Sequence, residues 1–307
     1  GEPYRPAAHR AAVTVRFTHL AIGLESMMSE HAKQASEALA FKHKYGPWAV
    51  IAGASHGVGA AFAQQLAAHG LNCVLVARRA DALATLQQQL VTRYGIEVVT
   101  LSLDLSHADA TTRLVAAVAE REIGLLIYNA GGDPYITRFL DTSAVDWSAL
   151  LRLNTQTVME CCHAFGGRML ERRRGGLILV GSQAALGGVR KLAMYSATKA
   201  FAMNLGESLW AEWKERGIDV LNLLIGTVDT PTMREAMVKL NIPDALSMPL
   251  AKAEDIVAVA LRELANGPTL IHPEDVVASD PQAKPGLARH RHVLKKSAEA
   301  ALFIGAD

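Results

Sequence analysis

The sequence predicts an α/β fold: one doubly wound parallel β-sheet, flanked by helices on both faces, in a single domain. Three observations carry that expectation. From Trp48 onward, short apolar runs alternate with longer amphipathic stretches. The short runs are apolar almost throughout rather than at every second residue, as strands covered on both faces require. A glycine-rich turn also joins the first run to the helix after it.

The elements follow in order along the chain. Ala49–Ala52 reads as the first strand and Ala60–His69 as its helix. Cys73–Ala77 with Ala80–Tyr94, then Val98–Leu103 with Ala108–Glu120, repeat the unit. Gly124–Asn129 is the fourth strand, and Val145–Arg173 one long helical stretch. Leu177–Val180 is the fifth strand, Tyr195–Arg216 a helix and Val220–Leu224 the sixth strand. A helix at Ala253–Leu264 and a short strand at Thr269–His272 close the sheet. This alternation is that of a parallel sheet built from crossover units. Residues 1–46 read as an N-terminal extension, partly disordered. Within it, residues 1–26 precede Met27 and Met28 and are set aside as an upstream extension or cloning remnant. The domain spans 47–273. A tail, 274–307, follows, with a short amphipathic helix at Val293–Phe303.

Half of the 307 residues are apolar and the net charge is +1, enough to bury a core and unlike a disordered chain. Lys and Arg are scattered, which argues against a nucleic-acid partner. The densest run, Arg172–Arg174, reads as a solvated helix end. Cys73, Cys161 and Cys162 are an odd number without framework or zinc spacing, so free, buried thiols in a reducing compartment are expected, and no metal site. No stretch reaches the roughly 18 uninterrupted apolar residues of a membrane span. Arg16 and His19 interrupt Ala11–Leu24, which argues against a signal peptide. A cytoplasmic location is expected.

The turn is Gly53-Ala54-Ser55-His56-Gly57-Val58-Gly59. Its glycines let the backbone turn sharply and approach a pyrophosphate, with helix N–H groups aimed at the negative charge. Between a strand and a helix, this is a Rossmann-type feature. An NAD site needs a carboxylate at the end of the second strand. Ala77 stands there instead, followed by Arg78 and Arg79, and guanidinium groups suit a 2′-phosphate. NADP(H) is therefore expected over NAD(H), with Ser55 and His56 as added donors. Asp104, after the third strand, can meet an adenine amino group. Asn129-Ala130-Gly131 ends the fourth strand, where small residues let the chain pass a ribose.

Tyr195-Ser196-Ala197-Thr198-Lys199 places a phenol and an ammonium at i and i+4 on one helix face. The ammonium is expected to lower the phenol's pKa, making Tyr195 a proton donor and acceptor near neutral pH. Ser182, 13 residues earlier, can hydrogen-bond the same carbonyl oxygen. Asn154, in the preceding helix, can order a water chain to Lys199.

Together these motifs closely resemble the short-chain dehydrogenase/reductase family over about residues 47–272. The resemblance implies that Asn154, Ser182, Tyr195 and Lys199 are a catalytic tetrad. Tyr195 then protonates the carbonyl oxygen, Lys199 binds the nicotinamide ribose, Ser182 polarises the substrate and Asn154 holds a relay water. It also implies nicotinamide contacts from Gly226, Val228 and Thr230. Three positions depart from the family pattern: Ala52 for its usual Thr, Ile225 for its usual Pro, and Tyr128 for the first Asn of an NNAG run.

By the same resemblance the substrate cleft is lined by Gln183–Met194 and by a lid over Pro231–Leu250. The lid's Met233, Met237, Leu240, Ile242, Leu246 and Met248 either suit an apolar ligand, steroid-like or fatty acyl, or only pack the lid. The Tyr45-Gly46-Pro47-Trp48 lead-in is similar to the 3-ketoacyl and 17β-hydroxysteroid branch. Arg190 and Lys191 either meet an acyl carrier's phosphate or face water. Two readings stand: an active ketone/alcohol oxidoreductase, favoured by the complete tetrad, or a non-catalytic NADP(H)-binding regulatory protein. A homodimer or homotetramer is expected through Val145–Arg173 and Tyr195–Arg216.

Overall fold

The computed structural model of the protein describes residues 33, 35–239 and 250–272. Its strands are β1 (Trp48–Ala52), β2 (Asn72–Ala77), β3 (Val98–Ser102), β4 (Ile123–Tyr128), β5 (Gly175–Ser182), β6 (Ile218–Ile225), β7 (Val228–Asp229), β8 (Ala251–Lys252) and β9 (Thr269–His272). Seven of them form one parallel sheet in the order β3-β2-β1-β4-β5-β6-β9, and β7 pairs with β8 beside it. The helices are α1 (residues 35–45), α2 (Gly57–Ala68), α3 (Ala80–Tyr94), α4 (Ala110–Ala117), α5 (Ala144–Leu151), α6 (Thr157–Arg172), α7 (Ala193–Trp213), α8 (Pro231–Lys239) and α9 (Ala253–Glu263).

The doubly wound, Rossmann-type sheet matches the expectation, and its physical basis is plain in β1 and β4. Every residue of both strands is buried. Ala49 and Ile51 pack on one face with Phe62 and Leu66 of α2, Leu83 and Leu90 of α3, and Val257 of α9. Val50 and Ala52 pack on the other with Leu114 of α4, Phe165 of α6 and Trp213 of α7. Phe62 is fully enclosed, so its replacement by Ala would cost about 3–5 kcal/mol.

Three features differ from the sequence reading. The single helix expected over Val145–Arg173 is two helices, α5 and α6, joined by a π-helical turn at Arg152–Gln156. One extra residue in a turn leaves the apolar periodicity almost unchanged, so the pattern does not reveal it. Part of the stretch assigned to the N-terminal extension is built into the body. The Phe41 ring of α1 lies 4.6 Å from that of Tyr45 and 4.7 Å from that of His69. Tyr45 is buried and donates to Asp219 at 2.5 Å. The lid region starts with a helix, α8, in which Met237 is buried.

Leu240, Ile242, Leu246 and Met248, the tail beyond His272 and its Val293–Phe303 helix lie outside the described residues. All three cysteines are free and buried. Among the described residues no helix is long and apolar enough to cross a membrane, and no group of three or more His, Cys, Asp or Glu could hold a metal ion.

Candidate active site

The strand order reverses between β1 and β4, where open α/β sheets form a crevice at the carboxyl ends of their strands. The predicted site residues gather there. Gly53 and Gly57 have φ of 85° and 57°, values that favour glycine. Gly59 fits so closely that a Cβ would stand 2.0 Å from the Gly53 carbonyl oxygen. That oxygen accepts from Asn129 Nδ2 at 2.9 Å, and the Ala130 backbone lies against Gly53. At the start of α2, His56 supplies no side-chain cap and the first turn holds no acidic residue. Its N–H groups, Val58 and Gly59 included, are left for an anion, so the turn fits a pyrophosphate.

The loop after β6 closes the other side. A Cβ on Gly57 would meet the Thr230 methyl at 2.7 Å. Gly226 donates its N–H to His272, Val228 is buried in the β7–β8 pair, and Thr230 Oγ1 accepts from Met233 N at the start of α8.

At the end of β2, Arg79 Nη2 donates to His56 Nδ1 at 2.8 Å, and Ser55 Oγ lies 2.8 Å from the same nitrogen. A guanidinium cannot accept, so this bond requires Nδ1 to be unprotonated. Burial, then the Arg79 charge, lower the His56 pKa, against the opposing charge of Glu235. His56 therefore offers Nε2 as its donor, a narrower role than the sequence suggested. Arg78 is exposed. Asp104 Oδ1 accepts from the Ser106 N–H at 2.9 Å and hydroxyl at 2.7 Å. Burial raises the pKa of this carboxyl, but the Ser106 bonds with the charges of Arg78 and His107 bring it below the usual range.

Ser182 ends β5, and Tyr195 and Lys199 lie one turn apart on α7. Lys199 Nζ donates to Val180 O at 3.1 Å and stands 5.7 Å from the centre of the Tyr195 ring. Gly131 is where the parts meet: a Cβ there would lie 2.4 Å from Asn154 Oδ1 and 3.3 Å from Lys199 Nζ. Asn154 Nδ2 donates to Gly132 O at 3.2 Å, while its buried Oδ1 has no partner. An unpaired buried acceptor beside a buried ammonium is a seat for a polar bridging group.

The expected lowering of the Tyr195 pKa is corrected by the structure. Burial raises the phenol above its ordinary value, Asp133's charge adds to the rise, and only the Ser182 hydrogen bond opposes it. Lys199 does not reverse the rise: its Nζ is directed at Val180 O and stands 5.7 Å from the centre of the phenol ring, while burial brings its own pKa down to about 8. A phenol so held keeps its proton at neutral pH, the form that donates.

Two residues escaped the sequence reading. Asp133 Oδ1 accepts from the N–H groups of Tyr135 and Ile136 at 2.9 and 3.2 Å, while its Oδ2 is buried without a partner. A carboxylate two residues past Asn129-Ala130-Gly131 was the available signal. Tyr128, noted only as a departure, donates its hydroxyl to Leu153 O at 2.8 Å.

The short chain dehydrogenase family profile matches residues 47–240. A 7β-hydroxysteroid dehydrogenase of Clostridium sardiniense is 32% identical over 192 residues, 62% of this chain and 73% of that protein. A very-long-chain 3-oxoacyl-CoA reductase of Laccaria bicolor is 33% identical over 210 residues, 67% of this chain and 62% of that protein. A short-chain dehydrogenase of Sphingobium yanoikuyae, solved in complex with NADPH, superposes with a TM-score of 0.68. It is 26% identical over 83% of this chain and 95% of that one.

Proposed function

The chain belongs to the short chain dehydrogenase family, and on that premise we propose that it is a cytoplasmic, homo-oligomeric, NADP(H)-dependent oxidoreductase that interconverts a ketone and a secondary alcohol on an apolar, steroid-like or fatty acyl substrate. The observation that carries this reading is the convergence at Gly131 of Asn154 Oδ1 and Lys199 Nζ, one helical turn from the Tyr195 phenol.

Tyr195 hands its proton to the carbonyl oxygen in reduction and takes it back in oxidation. Ser182 donates a second hydrogen bond to that oxygen and stabilises its developing charge. Asn154 Oδ1 accepts from a water that in turn meets Lys199, giving Tyr195 a route to recover its proton. The glycine turn and the α2 N–H groups would hold the pyrophosphate, and Arg78, Arg79 and His56 the 2′-phosphate. Asp104 would meet the adenine. Asn129, Ala130, Gly131 and Lys199 would meet the riboses, and Gly226, Val228 and Thr230 the carboxamide. A bound nicotinamide supplies or takes up the hydride.

The substrate class draws support from relatives named hydroxysteroid dehydrogenase and 3-oxoacyl-CoA reductase. The experiment is a panel of steroid and 3-oxoacyl thioester ketones followed by NADPH absorbance. Reduction of at least one is expected. NADPH binding with no turnover on any of them would move the weight to a non-catalytic NADP(H)-binding protein.

A further inference from the structure

The π turn at Arg152–Gln156 changes the partner of one backbone carbonyl. In an α-helix the Thr157 N–H would bond to Leu153 O, four residues back. Here it reaches five residues back, to Arg152 O. That takes the Thr157 donor away from Leu153 O in a part-buried region, an arrangement that costs free energy unless another donor arrives. The donor comes from the sheet: Tyr128, the last residue of β4, places its hydroxyl 2.8 Å from Leu153 O. Tyr128 is itself buried, and burial holds its phenol protonated, so it remains a donor.

Leu153 is the neighbour of Asn154, and the π turn sets where the amide points. Asn154 Nδ2 is fixed on Gly132 O, which leaves Oδ1 as the free acceptor beside Lys199. Nearby hydroxyls anchor the same stretch: Thr155 Oγ1 donates to Leu151 O at 2.5 Å and Thr157 Oγ1 to Leu105 O at 2.8 Å. Both of these bond other carbonyls, and the side-chain hydrogen bond to Leu153 O comes from Tyr128. We propose that Tyr128 is a positioning residue: its hydroxyl completes the π turn at Leu153 and thereby presents Asn154 Oδ1 to Lys199. This rests on the oxidoreductase reading for what Asn154 does, but not for what Tyr128 holds.

The test removes only the hydroxyl, with Tyr128→Phe, and reads it in two ways. Amide hydrogen exchange across residues 153–158 should accelerate roughly ten- to a hundredfold, the scale of one lost hydrogen bond with a buried carbonyl left unpaired. Exchange in β2 and α3 should not change. Unaltered exchange across 153–158 would overturn the proposal. The second reading is turnover of whichever ketone of the panel the native protein reduces with NADPH. Tyr128→Phe and Asn154→Ala should each lower kcat, and the double variant should be no slower than Asn154→Ala alone. Multiplicative losses would overturn the positioning role while leaving the reductase intact. A native protein that reduces none of the ketones removes the reductase reading, and the exchange result still decides the hold on Leu153. If Tyr128→Phe does not fold, native exchange decides instead. Amides 155–158 should be as protected as the middle of α6, and fast exchange there would overturn the proposal.

Discussion

The Arg79 guanidinium donates to His56 Nδ1 at 2.8 Å, tying the end of β2 to the tip of the glycine turn. This places a fixed charge where a 2′-phosphate would sit and turns the sequence's pair of arginines into two distinct roles. Both are exposed, but Arg79 is tied to His56 while the Arg78 charge acts on Asp104. NADPH should bind more tightly than NADH, and Arg79→Ala should remove most of the difference. A charged hydrogen bond contributes about 1.5–3 kcal/mol, so the preference should fall roughly ten- to a hundredfold. Titration calorimetry checks this. Equal dissociation constants in the native protein would contradict it.

Tyr195→Phe should keep NADPH binding and lose turnover by roughly 10²-fold or more, the scale of general acid catalysis. Asp133→Asn gives a companion test with a definite sign. Asp133's charge raises the phenol, so removing it lowers the phenol's pKa and moves the rise of alcohol oxidation to lower pH. A pH profile that does not move would separate Asp133 from Tyr195.

Lys199 makes a prediction about stability. Burial takes its ammonium from 10.5 down to about 8 in the folded protein. Below about pH 8 both folded and unfolded chains carry the proton, and the burial cost is constant. Between pH 8 and 10.5 the unfolded chain binds more protons, so this contribution to stability rises with pH. The full change corresponds to roughly 3 kcal/mol. Urea unfolding of the native protein and Lys199→Met from pH 7 to 10 should show their difference moving toward the native protein by an amount of that order. A difference independent of pH would contradict it.

Apolar side chains stand exposed along α5, α6 and α7. Val145 is 79% exposed, and Leu151, Met159 and Phe201 are also exposed. If they join into one patch, burial against a second copy would remove them from water. The protein should be a homodimer or homotetramer at micromolar concentration, and Phe201→Glu with Leu151→Glu should lower its mass by light scattering. A monomeric native mass would contradict the expectation.

The sheet was legible because its signal is redundant. A run such as Val50–Ala52, repeated between amphipathic helical stretches, is what a parallel sheet covered on both faces requires. Tyr195 and Lys199 were legible as neighbours because spacing on a helix carries over directly to space, while Asn154 and Ser182 were joined to them by the family resemblance. What escaped depends on relations that spacing does not encode. The π turn is one residue of extra winding. The raised Tyr195 phenol follows from how deeply Lys199 is buried and where its Nζ points. Tyr128 looked like a local departure because its partner, Leu153, lies on another element 25 residues away.

The bond from Asn129 Nδ2 to Gly53 O joins residues 76 positions apart, and β1 lies beside β4 only after two complete strand–helix units have been inserted between them. Closing so long a loop costs entropy before the pairing can return any stabilisation, so this contact belongs to the slow part of folding. During synthesis, a nascent chain that has released β1, β2 and β3 would expose a glycine turn with no back wall, and a nucleotide could not brace it. A cofactor held at this turn would be captured only after Asn129 has emerged and the β1–β4 seam has closed. From then on, bound cofactor would straddle that seam and resist its reopening, slowing unfolding of both halves together.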